Sequence, residues 1–182
     1  MKKIIALCVV ASLLAVVHLS SACVGRFVHI GVSNTTNERL LAEMASLLIS
    51  ERTGSNVQVD VYKDSSELYK AVKKGDVNVF FESTGRAAEV VGKPKESSYD
   101  QIKSDYRTKL NLTWLELFGG SVKYAPILTA ETLATYPALP KLLNKLSGAL
   151  ANDTYAKLLK TVDSGDKPKK VAKDFLQRKK LI

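Results

Sequence analysis

The chain has 182 residues and a formal net charge of +9, and 46% of its residues are hydrophobic. This length is enough for one domain with a substantial core, and two full domains would not fit comfortably. The charge does not indicate a nucleic-acid-binding protein, because no basic run is interleaved with aromatic residues. The Lys and Arg are spread along the predicted helices, which favours a role in solubility or in attraction to anionic lipid headgroups.

The first residues have the pattern of an export signal. Lys2 and Lys3 precede an apolar run over residues 4–17, and small residues then lead to Cys23. A run of 14 residues is shorter than the roughly 20 that a transmembrane helix needs. We therefore predict a signal peptide over residues 1–22 and one exported domain over residues 23–182, in the periplasm or on the outer face of a bacterial membrane.

The cysteine at the end of the predicted signal has two interpretations. Cys23 is the only cysteine after the signal, so no internal disulfide is available. Its position indicates the lipid acceptor of a bacterial lipoprotein, which would tether the protein to the membrane. Lipoprotein signals usually carry Leu three residues before the cysteine, whereas here Ser20 stands there and Leu19 precedes it. Ordinary cleavage after Ala22 is the open alternative.

Strand and helix patterns alternate from residue 26 onward. Residues 26–32, 56–62 and 77–81 are rich in β-branched residues or alternate with polar ones, which predicts three strands. An amphipathic helix lies between the first two strands, and a shorter helix bearing Leu68 lies between the second and third. Short connections between alternating strands and helices predict an α/β domain with a mostly parallel sheet flanked by helices.

The rest of the chain is predicted to be mainly helical. A polar connection over residues 92–98 leads to a helix over 99–112, and residues 122–128 are expected to form a further strand. From residue 130 to the end, helices are punctuated by proline and glycine.

Ligands of such sheets lie beyond the carboxyl ends of the strands. This rule selects three loops, residues 33–37, 63–66 and 82–86, which are rich in hydroxyl and amide groups. Each loop opens a helix whose N-terminal amides carry partial positive charge. The candidate ligand-binding residues are Ser33, Asn34, Thr36, Ser65, Glu82, Ser83, Thr84 and Arg86.

Each candidate also has a structural interpretation. Helix capping is the alternative for four of them: Asn34, Thr36, Ser65 and Thr84. Glu82 and Arg86, four residues apart, either contact a ligand or pair with each other in solvent. The aromatic residues of the second and third strands are expected to pack in the core: Tyr62, Phe80 and Phe81.

The sequence gives no support for an enzyme or for a metal site. His18 falls in the predicted signal and His29 within the first strand, and no catalytic triad or zinc-protease spacing occurs. One histidine and one cysteine after the signal leave too few ligands for a metal site, and no cofactor is expected.

Three segments carry a resemblance to a known family. Residues 30–38, Ile-Gly-Val-Ser-Asn-Thr-Thr-Asn-Glu, resemble without a gap the Ile-Gly-Ser-Lys-Asn-Phe-Thr-Glu-Gln opening of osmoprotectant-binding proteins of ABC transporters. Residues 71–78 resemble that family's Ala-Leu-x-x-Gly-Glu-Ile-Asp. Residues 82–87, Glu-Ser-Thr-Gly-Arg-Ala, follow where the family has Glu-Tyr-Thr-Gly-Thr-Ala. With similar closing helices, the resemblance covers most of residues 27–91 and 124–182.

The resemblance implies the substrate-binding component of an ABC importer for glycine betaine or related quaternary amines. It implies a small solute and an ABC permease as partners, and a fold like that of the type II periplasmic binding proteins. Family members have two lobes, and here only residues 114–122 stand in the place of the second. A single lobe is therefore expected, with its ligand surface open to water.

The sequence also departs from the family at the implied pocket. Ser83 replaces a pocket-lining Tyr, Ser33 a Lys and Arg86 a Thr. Quaternary ammonium groups are bound by aromatic faces, whereas Arg86 would repel them and receive a carboxylate or another anion. Two hypotheses stay open: a binding module for a small zwitterion or anion, completed by a partner or a second copy, and an envelope lipoprotein that keeps the lobe as a protein-interaction scaffold without a ligand.

Overall fold

The computed structural model describes residues 27–151 and 153–182. The predicted signal peptide and Cys23 lie outside the described residues. The described strands are β1 Val28–Ser33, β2 Val57–Tyr62, β3 Val79–Ser83, β4 Leu112–Trp114 and β5 Tyr124–Thr129. The described helices are α1 Thr36–Thr53, α2 Ser65–Lys74, α3 Thr84–Val90, α4 Tyr99–Leu110, α5 Ala130–Thr135, α6 Leu139–Ala149, α7 Thr154–Asp163 and α8 Pro168–Arg178.

The five strands form one sheet in the order β2-β1-β3-β5-β4. β1 pairs in parallel with β2 and β3, while β5 is antiparallel to both of its neighbours, β3 and β4. The predicted α/β class with a mostly parallel sheet is confirmed, and β5 is the one reversed strand in the described sheet. β4 was not predicted, because its three residues continue the apolar pattern of the preceding helix.

Helices cover both faces of the sheet. On one face, α1 packs against α6, α7 and α8, and Val28, Ile30 and Val32 of β1 contribute to the core beneath them. On the other face, α2, α3 and α4 cover a second core that contains Phe80 and Trp114. The resulting three-layer arrangement buries the alternating apolar side chains of the central strands.

Three helices begin with a side-chain cap. The capping oxygens belong to Thr35, Asp64 and Ser83, which accept hydrogen bonds from backbone amides in the first turns of α1, α2 and α3. The capping role expected for the neighbouring residues is therefore wrong: Asn34, Thr36, Ser65 and Thr84. In each loop the capping residue is a direct neighbour of these residues in the sequence.

The connection from β4 to β5 is short. It runs over residues 115–123, and Phe118 pairs with Tyr124 through two backbone hydrogen bonds of 2.9 and 3.0 Å. Gly119 turns the hairpin with φ 93°, in the left-handed region that glycine tolerates. Among the described helices, none is long and apolar enough to cross a membrane.

Candidate functional site

The three predicted loops meet at one edge of the sheet, which we call the carboxyl edge because β1, β2 and β3 all end there. The chain leaves β1 toward the α1 face and leaves β3 toward the α3 face. The strand order places β1 between β2 and β3. The gap between the ends of β1 and β3 is therefore a topological switch point, where open α/β sheets form their ligand crevice.

The side chain of Arg86 lies across this gap. Its Nε donates to Glu82 Oε1 at 2.5 Å, and its Nη1 donates to Glu38 Oε1 at 2.7 Å and to Ser65 Oγ at 3.1 Å. Its Nη2 donates to the carbonyl oxygen of Phe81 at 3.2 Å. A guanidinium has five N–H groups, so the protein itself uses four of the five. We call Arg86, Glu38, Glu82 and Ser65 the arginine network.

The arginine network connects β1 and β3 beyond the point where their backbone pairing ends. The last β1–β3 pair is Gly31 with Phe80. Beyond it, the backbone amide of Ser33 donates to Glu38 Oε2 at 2.6 Å. A chain of hydrogen bonds thus runs from the end of β1 through Glu38 and Arg86 to the end of β3, and it closes the crevice at its base.

The network is largely shielded from water. Glu82 is fully buried and the Glu38 side chain is 6% exposed, while the Arg86 side chain is 24% exposed. Burial raises the pKa of Glu82, although the Arg86 guanidinium and the Tyr69 hydroxyl both oppose that rise. Burial alone would lower the pKa of Arg86, but the carboxylates of Glu82 and Glu38 raise it overall. Two carboxylates face one guanidinium, so the network is net negative when both are ionised.

Two tyrosines from the α2–α4 face complete the coordination of Glu82. The Tyr69 hydroxyl donates to Glu82 Oε2 at 2.7 Å and lies 2.5 Å from the hydroxyl of Tyr106. Burial raises the pKa of both tyrosines well above the usual range. The backbone amide of Ser83 also donates to Glu82, at 2.8 Å. This carboxylate is therefore held by donors from β3, α2 and α3.

An aromatic cluster lies beside Glu38 at the same edge. It consists of Phe118, Tyr124 and Tyr155, whose ring centroids are 5.5 to 6.0 Å apart. Asn37 connects the cluster to the first loop, because its Nδ2 donates to the Tyr124 hydroxyl at 3.1 Å and its carbonyl accepts from Tyr155 at 3.2 Å. Tyr124 is half-buried, so part of its side chain is open to solvent.

The predicted site residues divide into two groups. Ser65, Glu82 and Arg86 belong to the network itself, and the pairing of Glu82 with Arg86 is buried, not solvent-exposed as the alternative had it. The other predicted residues lie around the arginine network. Ser33 is 4% exposed and its Oγ has no partner within the described residues.

The remaining predicted residues lie toward solvent. Asn34 and Thr36 are exposed, and Asn34 accepts a hydrogen bond from Arg39 at 2.8 Å. Ser83 and Thr84 are half-buried at the start of α3, where Ser83 caps the helix. The side chains of these residues are not part of the network, to which Ser83 contributes its backbone amide.

Glu38 and the residues of the aromatic cluster were not among the site residues predicted from the sequence. Thr35 and Glu38 have the spacing of a capping box, in which a glutamate at the third helical position accepts from a backbone amide before the helix. Glu67 does the same at α2, where it accepts from the amide of Lys63 at 3.1 Å. That repeated pattern was the available signal for Glu38. In the aromatic cluster, Tyr155 packs against Phe118 and Tyr124, which precede it by more than 30 positions, and this contact had no local signal.

No cluster of three or more His, Cys, Asp or Glu arranged to hold a metal ion is found in the described residues. The polar groups at the carboxyl edge instead belong to hydrogen-bonding and ion-pairing side chains.

Comparison with solved structures identifies the fold. A crystal structure of a glycine betaine/carnitine/choline ABC transporter protein aligns with a TM-score of 0.73 at 13% identity, covering 86% of this chain and 98% of that one. Apo YehZ from Escherichia coli aligns with a TM-score of 0.75 at 14% identity, covering 85% of this chain and 99% of that one. At these identities the likeness shows the fold, which is that of the substrate-binding proteins.

The sequence identifies the family. The profile of the substrate-binding domain of ABC-type glycine betaine transport systems, OpuAC, matches residues 27–125 and 116–178, and the chain belongs to this family. The two matched segments overlap at residues 116–125, within the short connection from β4 to β5 and the start of β5. The family is one of transport binding domains, and its members bind a substrate for an ABC system.

Proposed function

We propose that the protein is an extracytoplasmic solute-binding component of an ABC importer for quaternary-amine osmoprotectants such as glycine betaine. Membership of the family supports a small solute as ligand and a permease as partner. The export signal predicted over residues 1–22 supports a location in the periplasm or on the outer face of the membrane.

The observation that supports a cationic or zwitterionic solute is the charge of the arginine network. Two carboxylates surround one guanidinium, and four of the five N–H groups of Arg86 already donate to protein acceptors. An anion would have to compete with Glu38 and Glu82 for Arg86. The half-buried Tyr124 belongs to the aromatic cluster that joins the first loop through Asn37, and a cation over an aromatic face gains on the order of 1 kcal/mol. The anionic ligand expected from Arg86 is therefore the weaker assignment.

One lobe provides one wall of a crevice. Small-molecule sites normally bury most of the ligand surface, and the residues that border this crevice, such as Asn34 and Thr36, are exposed. We expect the isolated lobe to bind its solute weakly, with a dissociation constant on the order of 1 mM, equivalent to about 4 kcal/mol. A permease, a second protein or a second copy would supply the other wall.

The experiment is a thermal-shift titration of the purified protein with glycine betaine, choline and carnitine, and with acetate and sulfate as anions. A solute that binds only the folded state raises the melting temperature in a dose-dependent manner. We expect shifts with the quaternary amines, reduced by Tyr124→Leu. Tyr136→Leu is the matched control, because Tyr136 is also half-buried but lies far from the carboxyl edge. Its hydroxyl donates to the carbonyl oxygen of Phe27, just before the start of β1. Shifts with the anions alone would contradict the proposal.

The second candidate is a protein-interaction scaffold at the cell envelope that has no small-molecule ligand. The observation that favours it is the occupation of the crevice by Arg86, because a site filled by its own side chain needs no solute for stability. The same titration separates the two candidates: a protein that melts cooperatively and shifts with none of the solutes supports the scaffold.

Attachment of a lipid to Cys23 is part of the proposed location. Cells grown with labelled palmitate should incorporate the label into the protein, and Cys23→Ala should abolish the incorporation. An unmodified mature chain beginning at Cys23 would instead identify ordinary cleavage after Ala22.

A further inference from the structure

The positive charge of the protein is concentrated on one layer, contrary to the even spread expected from the sequence. Residues 139–182 contain eleven Lys or Arg and four Asp, whereas residues 4–138 contain 14 of each sign. The basic segment comprises α6, α7, α8 and the residues that follow α8, and all three helices pack on the α1 face of the sheet. This layer carries the net charge of the described domain.

A groove between α7 and α8 gathers three of these cations. It has a volume of about 380 Å³ and is lined by Thr154, Lys157, Leu158, Phe175, Arg178 and Lys179. Leu158 and Phe175, 7% and 3% exposed, form an apolar floor. The three cations at the rim are exposed, and within the described residues none of them forms an ion pair. Their position over an apolar floor suits an anionic amphiphile better than a fully hydrated ion.

The end of α8 lies at the edge of the sheet opposite the crevice. Arg52, near the end of α1, donates to the carbonyls of Leu181 at 2.5 Å and Lys180 at 3.1 Å. β1 begins at the same edge, where Val28 donates to the carbonyl that precedes β2. Cys23 is five residues before Val28, so a lipid attached there would lie within about 18 Å of this edge.

We propose that the groove between α7 and α8 binds the headgroup of an anionic phospholipid and docks the basic layer on a bilayer. The headgroup phosphate would lie between Lys157, Arg178 and Lys179, with the glycerol region over the apolar floor. This inference depends on the proposed extracytoplasmic location and is independent of the solute. The apolar floor and the export signal favour a membrane over a nucleic acid as the anionic partner.

The test is co-sedimentation of the full-length protein with vesicles of phosphatidylcholine, alone or mixed with phosphatidylglycerol. The apolar segment at the start of the chain contributes to binding of both kinds of vesicle. The ratio of the affinity for mixed vesicles to the affinity for phosphatidylcholine vesicles therefore reports the charge-dependent part of binding. Each basic residue near an anionic surface contributes a factor of about five in affinity. We expect Lys157→Gln, Arg178→Gln and Lys179→Gln, combined, to reduce this ratio roughly 100-fold. High salt should abolish the preference.

The matched control removes the same charge from the other face of the sheet. Lys70→Gln, Lys73→Gln and Lys74→Gln, combined, change three exposed lysines of α2 and should leave the ratio within about threefold of the wild type. Equal losses in both triple variants would show that only net charge matters and would overturn the assignment of the groove. Competition by millimolar glycerol phosphate would identify a site for soluble phosphates, and tighter binding to DNA than to vesicles would identify the wrong partner; either would also overturn it. The solute titration above is unaffected by these outcomes.

Discussion

Replacement of Arg86 by Met tests whether the arginine network stabilises the fold. The substitution keeps most of the apolar stem but removes four hydrogen bonds and leaves Glu82 and Glu38 facing each other without a cation. Removal of one partner from a buried ion pair costs about 3–5 kcal/mol. Because single domains are stable by only about 5–15 kcal/mol, we expect a large loss at neutral pH.

The loss should depend on pH through Glu82. Burial already raises the pKa of this carboxyl, and Arg86→Met removes the interactions with the guanidinium that oppose the rise. A carboxyl whose pKa is higher in the folded than in the unfolded state stabilises the fold fully below its unfolded pKa, and this stabilisation is lost as the pH rises through the folded pKa. The variant should therefore be closest to the wild type near pH 4 and should fall further behind it toward pH 8.

Urea denaturation followed by tryptophan fluorescence measures both effects. Trp114 is the only tryptophan and is 2% exposed, so its emission should shift on unfolding. Glu82→Gln combined with Arg86→Met removes both charges and should recover part of the loss, giving a coupling energy of about 2 kcal/mol. Arg39→Met is the control, because Arg39 is exposed and should change stability by no more than about 0.5 kcal/mol. A loss for Arg86→Met as small as that of the control, unchanged between pH 4 and 8, would refute the role of the network.

Further expectations concern the core and the tyrosines. Gly31→Ala should destabilise the protein by about 1–3 kcal/mol, because its Cβ would lie 2.5 Å from a side chain of α2; Gly148→Ala, in open space within α6, should instead stabilise it by up to about 1 kcal/mol. Thermal melts of both variants measure these changes, and an unchanged melting temperature for Gly31→Ala would contradict the close packing of β1 against α2. Burial raises the pKa of Tyr69, Tyr106 and Tyr155, so stability present below their unfolded pKa, near 10, should be lost as pH rises further. Phenolate absorbance should then show these three ionising together with unfolding, and their ionisation in a folded protein would contradict the burial.

Local patterns predicted most of the fold. The alternation of β1 and β2 and the apolar face of α1 are dictated by periodicity, and three adjacent βα loops could be placed at one edge by the parallel-sheet rule. The direction of β5 was not available in this way, because an apolar segment has the same pattern whichever way it runs. It is set instead by the short connection from β4, which permits only an antiparallel hairpin.

The loops of the candidate site were predicted from the sequence, but the burial and the hydrogen-bond partners of its charged residues were not. The sequence placed Glu82 and Arg86 in one loop, but their burial depends on Tyr69 and Tyr106, which come from two other helices. Glu38 contacts Arg86 across 48 positions of sequence. Such contacts follow from how the layers pack, and no single segment records them.

A nuclear magnetic resonance titration of the isotope-labelled protein with choline and glycine betaine tests the central claim most directly, since it detects weak binding and locates it. We predict saturable shifts of the backbone amides of residues 33–37, 63–66 and 82–86, with smaller shifts or none for acetate at the same concentration. Shifts confined to other parts of the domain, or no saturable shift with either solute, would contradict the assignment of the carboxyl edge as a site for quaternary amines.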